Sequence, residues 1–154
     1  MKVLSSNYWV LVADSGNARI LEMRRKPYQF REVQKLTSEA LHKRSRDLVS
    51  DGSGRSFHAQ GPASHSKKQR SDAQDLAEQA FTRKLIKKLE QAANRKSFEH
   101  LVLVADPKTL GRLRAQMSKS LKSEVVDELN LDLVGAPLES LEKRVKERLN
   151  WPTP

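Results

Sequence analysis

Two short apolar runs, each closed by an aspartate, frame this chain. Tyr8-Trp9-Val10-Leu11-Val12-Ala13 ends at Asp14, and Leu101-Val102-Leu103-Val104-Ala105 ends at Asp106. Runs of this length, without polar alternation and rich in β-branched residues, predict central strands buried on both faces. Leu-Val-Ala-Asp occurs at both 11–14 and 103–106, which predicts two neighbouring strands in similar surroundings rather than a repeat architecture. Ser15-Gly16-Asn17 supplies a turn, and Ala18 to Met23 predicts a second strand, so the chain opens on a hairpin. Pro27 closes the next turn. Tyr28 to Leu36 predicts a third strand, with Tyr28 and Phe30 on one face. Val33 falls out of alternation and predicts a bulge or an early end. Three sequential antiparallel strands make a meander.

Helical spacing then takes over. Ala73, Leu76, Ala77, Ala80, Phe81, Leu85, Leu89 and Ala92 recur at steps of three and four. They predict an amphipathic helix from about 72 to 95, with Ser71 as N-cap and Gln74 placed for a capping box. Asp106 is placed to cap a helix whose first residue is Pro107 and whose buried stripe is Leu110, Leu113 and Met117. Gly111 weakens that helix or admits a close neighbour. Residues 119–134 carry both periods: Leu121, Val125 and Leu129 are spaced for a helix, Leu129, Leu131 and Leu133 for a strand. The expectation is a short helix passing into a last strand. Pro137 opens a final helix lined by Leu138, Leu141, Val145 and Leu149. Its early Glu139 and Glu142 and late Lys146 and Arg148 complement the helix dipole. The tail, Trp151 to Pro154, is expected to be loose unless Trp151 docks.

Residues 41–71 fit neither period. Three of the four histidines and three of the six glycines fall here, among basic residues and serines. Compact domains rarely carry so long a structureless stretch unless it is functional or disordered. A long basic loop at 41–71 is therefore expected to carry the activity of a single α/β domain spanning 1–150. The order β-β-β-loop-α-β-α-(α/β)-α predicts a mixed five-stranded sheet with helices on its faces. In the ribonuclease-H-like arrangement, which has this order, the first and fourth strands lie side by side in parallel.

The net charge of +10 points to polyanionic partners. The candidate phosphate-neutralising residues are Lys43, Arg44, Arg46, Arg55, Lys67, Lys68 and Arg70, continued by Arg83, Lys84, Lys87 and Lys88 along the long helix. The absence of cysteine excludes disulfides, thiol nucleophiles and cysteine-held metals. Met1 to Asn7 lacks the long apolar core of a signal peptide, and no run reaches the roughly 20 apolar residues of a membrane span. The expected location is the cytoplasm.

Arg46-Asp47-Leu48-Val49-Ser50-Asp51 followed by Gly54-Arg55-Ser56-Phe57 resembles the signature segment of a bacterial family of proteins required for attachment to host cells. Leu11 to Arg19, Leu101 to Ala105 and Leu110-Gly111-Arg112-Leu113-Arg114 resemble it too, so the likeness covers roughly residues 8–145. That family in turn resembles the middle domain of archaeal and eukaryotic class 1 release factors. The resemblance implies that domain's fold and, by analogy, contact with RNA or the ribosome. The release factors' Gly-Gly-Gln tripeptide is missing. Gln60-Gly61 is the nearest approach, in reversed order, so peptide release is not implied.

The expected class is a non-enzymatic binding protein without metal or cofactor. A hydrolase or nuclease is the first alternative. If the two aspartate-terminated strands are parallel neighbours, Asp14 and Asp106 share one end of the sheet and are candidates for holding Mg²⁺. His42, His58 and His65 have no metal-ligand spacing. Ser53, Ser56 and Ser64 have no nucleophile elbow, and Gly52-Ser53-Gly54 lacks the Gly-Lys-Ser/Thr ending of a P-loop. A protein-interaction factor acting indirectly in attachment is the other alternative.

Overall fold

The computed structural model describes residues 7–24, 29–43 and 63–151, with 63–66 as backbone alone. A five-stranded mixed sheet has the order β3-β2-β1-β4-β5. Its strands are β1 (Tyr8–Ala13), β2 (Asn17–Arg24), β3 (Gln29–Thr37), β4 (His100–Ala105) and β5 (Val125–Asn130). Residues 39–43 form a helical segment, α1. The other helices are α2 (Ala63–Asn94), α3 (Pro107–Gln116), α4 (Lys119–Glu124) and α5 (Leu138–Leu149).

β1 pairs antiparallel with β2 and parallel with β4 along its whole length, from Tyr8↔His100 to Ala13↔Ala105. The two apolar runs are therefore adjacent central strands. Successive side chains point to opposite faces, so a strand covered on both sides has no polar positions to offer. On one face Trp9, Leu11, Leu101 and Leu103 pack beneath Phe81, Leu85 and Leu89 of α2, Leu113 of α3 and Leu121 of α4. On the other, Val10, Val12, Val102 and Val104 pack beneath Leu141 and Val145 of α5. The bulge stands at Val33: the β2–β3 register steps from Ile20↔Gln34 to Leu21↔Glu32. α4 runs into β5 as the double periodicity predicts, but the strand stops at Asn130, so Leu131 and Leu133 lie beyond it.

Three expectations are corrected. First, α2 begins at Ala63, not near 72, and Ser71 lies inside it rather than at its cap. No glycine or proline follows Pro62 until the helix has ended, and Lys67 to Arg70 are good helix formers. Second, the expected loop at 41–71 is correspondingly helical at 39–43 and from 63, while 44–62 lie outside the described residues. Third, Leu76 is 66% exposed although its spacing places it on the buried stripe. Ala80 is exposed as well. Before Phe81 the only buried residue described in α2 is Glu78, so this stretch of the helix has no sheet beneath it.

α2 ends in a Schellman turn. Lys96 has φ 59, its N–H bonds Ala93 O at 2.9 Å, and Ser97 N–H bonds Ala92 O at 2.9 Å. In α3, Gly111 is exposed and a Cβ there would meet nothing within 4 Å. Close approach is therefore not its role, and only the backbone-entropy cost of glycine remains. Gly111→Ala is expected to stabilise the protein by about 0.5–1 kcal/mol, read as a higher urea midpoint. An unchanged or lower midpoint would contradict this.

Candidate functional site at the carboxyl edge of the sheet

From β1 the chain runs outward to β2 and β3; from β4 it runs the other way to β5. The two directions diverge beyond the carboxyl ends of β1 and β4, where open α/β sheets form their ligand crevices. Because Ala13 pairs with Ala105, Asp14 and Asp106 follow side by side at this edge. Both are half-buried, and both carboxylates serve their own loops. Asp14 Oδ1 accepts from Gly16 N–H at 2.9 Å and Asn17 N–H at 2.7 Å. Asp106 caps α3, accepting from Thr109 N–H at 3.2 Å and Thr109 Oγ1–H at 2.6 Å. Among the described residues, no group of three or more His, Asp or Glu side chains is placed to hold a metal.

α1 closes over the β1–β2 turn. Ser38 N–H bonds Gly16 O at 2.8 Å, and His42 Nε2 lies 3.2 Å from Asn17 Oδ1. A Cβ on Gly16 would stand 3.3 Å from Leu41 Cδ1, so the close approach favours glycine there. Lys43, exposed, follows at once. The chain thus leaves for 44–62 from this edge. It returns there in α2, which runs back to the amino end of β4. Lys67, Lys68 and Arg70 are exposed on the first turns of α2.

Those turns are held by charge rather than by the sheet. Arg112 of α3 reaches Asp75 through Nη2 and Glu78 through Nη1, both at 2.5 Å. The Asp75 contact is a hydrogen bond; the Nη1 contact is an ion pair without hydrogen-bond alignment. Glu78 also receives Gln74 Nε2–H at 3.1 Å and lies 3.7 Å from Lys108 Nζ. Two of the acids interrupting the basic residues of α2 are therefore neutralised by α3. At the rim, Arg114 forks onto Glu128. The Glu128 hydrogen bond, then its charge, raises the Arg114 guanidinium pKa above its ordinary value.

Of the sequence-predicted cations, Lys43 ends α1 at this edge, Lys67 and Arg70 line one shallow pocket with Lys108 of α3, and Lys68 is exposed on the same turns of α2. Arg83, Lys84 and Lys87 are exposed farther along α2, and Lys88 is half-buried. At 1.5 Å per residue, about 20 Å separates Arg70 from Arg83 along the helix axis. Arg44, Arg46, Arg55, His58, Ser53 and Ser56 lie outside the described residues, while Ser64 and His65 lie within α2. The Tyr, Trp and Phe side chains described, Tyr8, Trp9, Phe30, Phe81, Phe98 and Trp151, are all buried, so among the described residues no ring of these three types is offered for base stacking. Sequence reasoning missed Arg19, Lys108 and Arg112. An arginine inside the Ala18-to-Met23 strand was the one legible sign that β2 carries a buried charge.

A family described as "Protein required for attachment to host cells" matches residues 9–145. The chain is also similar to the "Uncharacterized protein RP470" of Rickettsia prowazekii (strain Madrid E), 33% identical over 73 residues. That match takes in 46% of this chain and 49% of the relative, so it spans about half the relative's length.

Proposed function

The chain belongs to the family of proteins required for attachment to host cells, and we propose that it is a non-enzymatic cytoplasmic binding protein that holds RNA, on the ribosome or free. The observation that carries this reading is the set of exposed cations at the carboxyl edge and along α2, with Asp75 and Glu78 already paired by Arg112. The same proposal takes the fold as that of a release-factor middle domain, ribonuclease-H-like. The parallel β1–β4 pair and the element order support it. A hydrolase using Asp14 and Asp106 would have to free two carboxylates that hold a turn and a helix cap.

The test is RNA affinity measured by fluorescence anisotropy against salt. Lys67, Lys68, Arg70, Arg83 and Lys87 each neutralising one phosphate gives a log–log slope of roughly −3 to −4 for single-stranded RNA. Arg83→Glu with Lys87→Glu should flatten the slope by about one to two. Absence of binding in low salt, or affinity indifferent to salt, would rule the proposal out.

A further inference from the structure

A second site lies on the α5 side of the sheet, built around a buried arginine. Arg19 of β2 is 8% exposed. Its Nε donates to Glu32 Oε1 at 2.6 Å, and Nη1 donates to the carbonyls of Val134 at 3.2 Å and Ala136 at 2.5 Å. Nη2 takes no part in these bonds. Glu32 is shared, because Lys35 Nζ stands 3.8 Å from its other oxygen. Two cations therefore meet one carboxylate, and one positive charge is left over.

These groups line a cleft of about 670 Å³ between the β2–β3 ribbon and residues 134–138, within the roughly 300–1,000 Å³ of small-ligand sites. Asn17 and Thr37 add polar side chains, and Pro137 and Leu138 add apolar wall. A planar guanidinium fixed by its own hydrogen bonds is pre-organised for an oxyanion. Apolar wall beside it selects a ligand with a hydrocarbon or ring body. We propose that this cleft binds a small amphipathic anion, a carboxylate or phosphate carried on an apolar body. The proposal is independent of RNA binding at the other surface.

The experiment is a ¹H–¹⁵N NMR titration of the full chain with benzoate, phenyl phosphate and, as neutral control, phenol. Saturable shifts confined to 17–19, 35–37 and 134–138 with either anion are expected, and the tighter anion identifies the headgroup. Lys35 is exposed, so Lys35→Glu should leave the fold intact and weaken binding at least about tenfold. Arg19→Lys keeps the charge and removes the fork; if it stays folded, it should weaken binding too. The proposal is overturned if neither anion saturates at those residues, if phenol binds as tightly as the anions, or if Lys35→Glu leaves affinity unchanged.

Discussion

Arg112→Ala should be among the most damaging single substitutions, costing about 3 kcal/mol of stability. The Arg112 side chain is 12% exposed and that of Glu78 only 6%. Removing the guanidinium leaves a carboxylate in a site with little water. Lys108 stays near it but is itself 69% exposed, so it compensates weakly, and Gln74 supplies one neutral hydrogen bond. A buried pair broken on one side typically loses 3–5 kcal/mol; those two remaining partners set this case at the lower end. Because the ion pairs to α3 hold a part of α2 with no sheet beneath it, the loss should also loosen the turns that present Lys67, Lys68 and Arg70. Urea unfolding reads the stability, and amide exchange across 67–80 reads the loosening. Replacing both partners, Arg112→Met with Glu78→Leu, should restore most of the stability, since no charge is then stranded. A loss below about 1 kcal/mol in Arg112→Ala would show that the pair is solvated and does not clamp the helix.

Trp151→Ala is expected to cost about 3–5 kcal/mol, although the residue stands two positions beyond the last helix. Asn150 adopts the left-handed conformation, φ 58. The chain then closes a Schellman turn, with Asn150 N–H to Glu147 O at 3.4 Å and Trp151 N–H to Lys146 O at 3.0 Å. That reversal turns the indole back onto the sheet, where it is 7% exposed. It meets Tyr8 edge-on with ring centres 5.0 Å apart, and Phe30 at 6.2 Å. Three aromatic rings from β1, β3 and the end of α5 thereby lock that helix to its face of the sheet. Phe30 N–H, on the edge strand, is also bonded by Glu142 of α5, a second tie on the same side. Trp151→Phe should recover part of the stability. A melting temperature unchanged in Trp151→Ala would mean that the tail is an ornament on α5.

Local pattern alone sufficed for the order of the strands and of the helices from α2 onward, but not for α1. The two unalternating runs gave β1 and β4, and the broken alternation at Val33 gave the bulge. Pro107 behind Asp106 gave the start of α3, and the double period at 119–134 gave a short helix passing into a strand, though Leu131 and Leu133 lie beyond β5. These signals are local: each is a periodicity, a turn chemistry or a cap that a few neighbouring residues enforce.

Packing between distant elements set the rest. Asp14 and Asp106 became neighbours only through the Ala13↔Ala105 pairing, and their carboxylates turned out to serve their own loops. α2 reached back to Ala63, because a capping box at Ser71 is no stop signal when nothing before it breaks the helix. Leu76 lost its burial because the stripe it belongs to outlasts the sheet. Arg19, Arg112 and Trp151 found partners far away along the chain. No local pattern records such encounters, because burial of a charge or an indole depends on what another element brings to the same place.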